Sequence, residues 1–240
     1  MAFGTDRKYM TRTQSEAAEI DVGLRQYMLR VYNYMASGLA LTGIVAMLVA
    51  SNETMTQLIF GTPLKWVVML APLGFVFFMS FKIETMKAST AQTLFWVFAA
   101  LMGASLASVF LVFTGESVAR TFFITAAAFA GLSLWGYTTK KNLSAFGTFL
   151  VMGLIGLMIA MVVNIFLQSA MMQFVISAAG VLIFAGLTAY DTQRIKEMYW
   201  HLDGGEVAVK KAVMGALTLY LDFINLFTFL LQFLGVRRDE

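Results

Sequence analysis

Two aspartates stand where a chain this apolar has little reason to place charge. AGLTAYDTQRI, residues 185–195, carries Asp191, and LTLYLDFINLF, residues 217–227, carries Asp222. Each lies behind or within a long apolar run, whereas the other twelve of the 14 acidic residues fall in tails or connections. A charge at the centre of a bilayer is costly, so such a side chain is neutral, paired or facing water. Two carboxylates in contact cannot both ionise cheaply, and such a pair titrates as a unit. Sharing one proton, they hydrogen-bond and tie their segments together. Fully ionised, they repel, or accept a hard cation such as Ca2+ through their oxygens. That chemistry would make Asp191 and Asp222 a proton sensor and candidate Ca2+ ligands. The alternative is two aspartates satisfied separately, by hydroxyls, by water or, for Asp191, by Arg194 at i+3.

The elements that must position the pair are helices. The chain is 59% hydrophobic and 13% charged, against about half and about a quarter for soluble domains. A hydrocarbon core of ~30 Å needs about 20 apolar residues as helix. Seven runs meet that need, roughly 31–50, 65–81, 89–113, 119–137, 143–167, 172–190 and 212–234. They are continuous rather than short and alternating, which excludes a β-barrel. The fold class is therefore all-α, a polytopic seven-helix membrane bundle. Residues 1–25 read as a polar tail, 26–235 as the membrane domain and 236–240 as a short polar end. No short apolar h-region with a small-residue cleavage site is present, so no signal peptide is expected.

The midpoint between the aspartates falls beside Gly204–Gly205, which reads as the turn. If the sixth helix continues to about Trp200 and the seventh starts near Lys211, the two lie about 14 and about 16 Å into antiparallel neighbours at ~1.5 Å per residue. Gly215, Thr218, Asp222 and Asn225 share one face of the seventh helix, and Ser177, Gly180, Thr188 and Asp191 lie near one stripe of the sixth. Thr188, Thr218 and Asn225 thus form the supporting polar face. Small residues at Gly103, Ala104, Ser105, Ala107 and Ser108, and at Gly153, Gly156, Ala160 and Asn164, read as close helix packing rather than as a substrate groove.

Thirteen of the 17 lysines and arginines lie in the N-terminal segment and the second, fourth and sixth connections. The positive-inside rule puts those on the cytoplasmic side, and with them the N-terminus. Seven spans then place GVRRDE outside despite its two arginines, unless the last segment re-enters. With no cysteine and one histidine, His201, disulfides, thiolate metal sites and multi-imidazole sites are excluded. The basic balance is a topology signal and implies no nucleic-acid partner. No cofactor is expected beyond Ca2+ as a permeant or bound ion, and the 17 methionines read as packing residues rather than copper ligands.

Three enzyme or pigment readings fit less well. Tyr190–Asp191 matches the YD pair of intramembrane aspartyl proteases. The partner motif G-x-G-D is absent, however, because Leu219, Tyr220 and Leu221 precede Asp222, and the only prolines are Pro63 and Pro72. The last span has no lysine for a retinal Schiff base. His201 lies in a connection near no obvious nucleophile, so the chain is not expected to be an enzyme.

GLTAYDTQ and GALTLYLDFINLF resemble the signature of the Bax inhibitor-1, or transmembrane Bax inhibitor motif, family, in its bacterial inner-membrane form. GLRQYMLRVYNYM, WGYTTKKNLSAFG and LIGLMIAMVVNIF extend the likeness over about residues 25–235. The resemblance implies seven helices with the last at the centre, a pH-sensitive calcium leak in the cytoplasmic membrane with Ca2+ and H+ as its ions, and Asp191 and Asp222 as its di-aspartyl sensor. In some members an arginine at the end of the second helix latches one aspartate. Here MSFKIETMK, residues 79–87, offers Lys82 instead, so Lys82 and Arg194 are the latch candidates. Some bacterial relatives resemble modulators of a membrane-bound ATP-dependent protease, a partner that residues 1–25 would engage.

Overall fold

The computed structural model of the chain describes residues 12–238, and its elements are α1 (Arg12–Ser51), α2 (Glu53–Phe60), α3 (Leu64–Lys82), α4 (Ala88–Val112), α5 (Gly115–Thr138), α6 (Ser144–Leu167), α7 (Ala170–Glu197) and α8 (Gly205–Leu234). No strand occurs among the described residues, where β pairing is limited to one isolated bridge between Phe113 and Arg237. All helices except α2 are long and apolar enough to cross a membrane, α1 doing so from Ile20.

Apolar content marks where a helix sits in lipid, not where it ends, and the ends differ from expectation accordingly. The first span, expected at 31–50, belongs to a helix of 40 residues, roughly 60 Å long at ~1.5 Å per residue. Nothing between Arg12 and Gly23 breaks the helix, so the segment expected as tail is helical from Arg12. The part of that tail before residue 12 lies outside the described residues, as do residues 239–240 of the expected C-terminal tail. Likewise α7 runs past Tyr190 to Glu197, with Arg194 and Lys196 in its last turn where cations favour the helix dipole. The last helix starts at Gly205 rather than near residue 212, and Gly204 caps it in an extended conformation. The first connection contains α2, whose cap Asn52 accepts from the Met55 amide at 3.0 Å. Met55 and Leu58 of α2 are exposed and no residue of it is buried, the pattern of a short interfacial helix.

Two-thirds of the apolar stretch of α8 is buried (67%), against 11% for α3 and 17% for α6. The reason is residue type. Ala212, Gly215 and Ala216 let neighbours approach, and Leu217, Leu219 and Tyr220 fill the centre. Lipid accepts more apolar helices such as α6 on its own, so it is close packing at small residues, not apolarity, that draws α8 inside. Helices α1, α4, α5 and α7 pack around α8, while α3 lies mainly on α4 and α6 on α7. Phe95, Phe98 and Tyr220 meet edge to face at 5.4–6.2 Å, and the Tyr220 hydroxyl bonds Thr42, which itself donates to the Ala99 carbonyl at 2.8 Å.

The small-residue clusters divide. Gly103 lies against the α1 backbone at Thr42, as close packing requires, but Gly156 faces open space and Gly153 only touches Ile183. The tighter approaches are elsewhere: Gly136 against the Ala189 backbone, Gly147 against the Tyr190 ring, and Gly180 against the Phe229 ring. The last segment does not re-enter. Helix α8 is unbroken, and beyond it the Val236 amide bonds Ser117 Oγ at 2.9 Å while the Arg238 amide bonds the Val112 carbonyl at 3.0 Å. The chain therefore finishes on the α4–α5 turn, at the end of the bundle opposite the α7–α8 turn.

Candidate functional site: the acidic pair between the last two helices

Helices α7 and α8 are antiparallel, and their register is fixed by interlocked side chains. Gly215 faces Ile195 at one level, and Phe229 lies in the notch of Gly180 two levels away, stacked on Phe184 with ring centroids 5.8 Å apart. Between these rungs Asp222 and Asp191 come together, with their carboxyl groups within hydrogen-bonding reach. They are 5% and 9% exposed. A bond between two carboxyls needs a proton on one of them. Asp222 Oδ2 is buried with no partner. Buried polar atoms are rarely left so, and an orphaned acceptor marks a place where a proton, water or cation has a reason to sit.

The expected supporting residues surround the pair without bonding it. Thr188 Oγ1 donates to the Phe184 carbonyl at 2.8 Å, Thr218 Oγ1 to Met214 at 3.1 Å and Asn225 Nδ2 to Leu221 at 2.8 Å. Each spends a donor on its own helix, which hides polarity from lipid. Of the two latch candidates, Arg194 is the one close enough to act on Asp191 electrostatically. Lys82 is exposed at the end of α3 and pairs with no described acidic residue. His201 lies exposed in the α7–α8 connection, its ring 5.1 Å from that of Trp200 and tilted by 42°.

As a metal site the pair is thin. Among the described residues no group of three or more acidic or histidine side chains converges anywhere. Ca2+ takes six to eight oxygens, so two carboxylates with the Asn225 amide oxygen do not make a resident calcium cage.

Sequence reasoning missed the ties that hold this hairpin to the rest of the bundle. Gln193 accepts from the Leu143 amide at 2.8 Å and donates to the Lys141 carbonyl at 2.9 Å, clasping the α5–α6 connection. Lys196 Nζ donates to the Tyr137 carbonyl at 2.8 Å and stands 5.1 Å over the Tyr137 ring. Tyr32, Ser133 and Thr192 form a hydroxyl chain at 2.7 and 2.9 Å, joining α1, α5 and α7 one residue from Asp191. From α8, Glu206 accepts from the Ala88 amide at 3.0 Å and so caps α4, and Lys210 Nζ reaches the Glu84 carbonyl at 3.0 Å. Lys211 pairs with Asp203 at 2.6 Å. The only advance signal was composition: long polar side chains clustered in residues 193–211.

Helices packed around a central one, with two buried carboxyls in the last hairpin, define a multi-span α-helical membrane protein. The chain belongs to the Bax inhibitor-1 family: residues 24–239 match the family model described as "Inhibitor of apoptosis-promoting Bax1". It is 49% identical over 227 residues to an uncharacterized protein of Rickettsia prowazekii, covering 95% of this chain and 96% of that one. An uncharacterized protein of Caulobacter vibrioides is 47% identical over 246 residues, 98% of each chain. The inner membrane protein YbhL of Escherichia coli is 42% identical over 219 residues, 90% of this chain and 94% of that protein.

Proposed function

We propose that this protein is a pH-responsive cation leak of the cytoplasmic membrane, with Ca2+ as the permeant ion and the Asp191–Asp222 pair as its gate. The observation that carries the reading is the orphaned, buried Asp222 oxygen beside a second carboxyl at the heart of the central helix. Two further features support it. Thr218, Asn225 and Thr228 run half-buried along one side of α8, and Gln232 extends the row to an amide cluster with Gln173 at 2.8 Å and, through it, Asn164. Such a row offers oxygens to an ion along the length of a span. The basic connections at the α7–α8 turn end support a cytoplasmic side for that end and for the N-terminus.

The sign follows from the proton count. Acid supplies the proton that the carboxyl–carboxyl bond needs and favours the tied hairpin. Alkali removes it, and two like charges of low exposure push α7 from α8. Ca2+ flux into reconstituted vesicles therefore rises with pH in the wild type and becomes flat in Asp191→Asn, which keeps a hydrogen-bonding group but cannot titrate. An unchanged pH profile in that variant overturns the sensor.

A second reading is favoured by the length of α1. Its first turns carry exposed Ile20 and Val22 at the basic end, a surface through which residues 1–25 could engage a membrane-bound ATP-dependent protease as its modulator. Deleting residues 2–20 removes such an interaction and leaves a leak intact. Neutralising Asp191 does the reverse.

A further inference from the structure

On the other side of α8, helices α1 and α5 touch through the Tyr32–Ser133 hydrogen bond but are not closely packed along the rest of their length. They leave a lateral groove floored by Phe223, with a cavity of about 720 Å³ at the basic end and a second of about 470 Å³ continuing it. Leu39 and Phe223 belong to both cavities. Small residues keep the groove open: Ala36 on α1, and Ala126 and Ala130 on α5. The larger cavity lies in the usual size range for a built ligand site. It follows α1 from Arg25 to Leu39, about 21 Å at ~1.5 Å per residue, which is one leaflet of a ~30 Å core plus its interface.

Its walls and its mouth differ in chemistry. The walls are Met28, Met35, Phe129 and Leu134. The mouth holds Arg25 and Tyr137. A cation beside an aromatic rim, above an apolar slot open to the bilayer, complements one kind of molecule: an acyl chain with an anionic headgroup. We propose that this groove binds a phospholipid from the leaflet at the basic end, one chain in the slot and its anionic headgroup at Arg25. A second copy of the protein would need a helix ridge to fill the slot and would not use the cation.

The full-length protein, purified in mild detergent, is titrated with phosphatidylglycerol and with phosphatidylcholine, and bound lipid is read by native mass spectrometry. Wild type retains phosphatidylglycerol with about fivefold preference, the ratio expected for a basic residue worth about 1 kcal/mol at an anionic headgroup. Ala130→Trp fills the slot and loses the retained lipid. Arg25→Gln keeps a lipid and loses the preference. Ala126→Leu replaces Ala130→Trp should the larger side chain lower the melting temperature. Equal retention of both lipids by the wild type, full retention by the filled-slot variants, or a dimer with no lipid would each overturn the proposal. None of these readouts depends on ion flux.

Discussion

Asp222 and Phe223 are neighbours in sequence, yet they face different sides of α8. Asp222 looks into a seam that is shut by interlocked shapes, with Ile195 against Gly215 below it and Phe229 against Gly180 above it. Phe223 faces the floor of the groove, where it is buried against Phe122 and Phe129, edge to face at 5.5 and 5.6 Å. The seam holds polar groups in a dense setting, and the groove holds almost none in an open one. A dense seam has few ways to change, so one proton can decide between two arrangements. An open groove adapts to its occupant and cannot by itself make a switch.

The sharpest test of this contrast is to alter each neighbour in turn. Asp222→Asn should abolish the pH dependence of Ca2+ flux altogether and leave the melting temperature in detergent close to wild type, because the amide still hydrogen-bonds. Phe223→Ala should do the opposite. It loses about 3 kcal/mol of stability, the low end for a buried phenylalanine, since lipid supplies little hydrophobic drive. Its pH profile should keep its shape. A flattened profile in Phe223→Ala would mean that the two sides are not independent.

Smaller effects sharpen the seam itself. Gly180→Leu drives a side chain into the Phe229 ring and should cost about 2 kcal/mol by overpacking, seen as a lower melting temperature with flux already raised in acid. Ser133→Ala breaks the Tyr32–Ser133–Thr192 chain and should cost about 0.6 kcal/mol, the average for a hydrogen bond between membrane helices. A shift of the pH midpoint in Ser133→Ala, with little change in melting, would show that the hydroxyl chain reports to Asp191.

The bundle was legible where lipid dictates composition. All seven spans fall near their apolar runs, and the two aspartates meet as a turn near their midpoint implied. The equal depths did not hold. Asp191 is six residues from the end of α7 at Glu197, and Asp222 is seventeen from the start of α8 at Gly205. The levels still match because α8 begins about three turns beyond the end of α7, over the α3–α4 connection that Glu206 and Lys210 grip. Residues 191–197 and 205–211 form good helix outside the apolar stretch, and hydropathy does not see it. The ties through Gln193 and Lys196 were equally hidden, since a side chain that bonds a carbonyl fifty-two or fifty-nine residues away leaves no local pattern. The glycines that matter, Gly136, Gly147 and Gly180, cannot be told from Gly156 by spacing.

The helix at the centre is also the last of the seven spans to be synthesised. Pairs such as α1 with α4 and α5 with α7 pack on each other directly, but until α8 enters the bilayer α1, α4, α5 and α7 have no common core. The shared centre of the bundle therefore closes late. A ribosome that stops short of Leu234 leaves a chain that can be inserted but cannot be finished. Such a chain carries every basic loop needed for correct orientation and lacks the one element that would hide its polar seam from quality control.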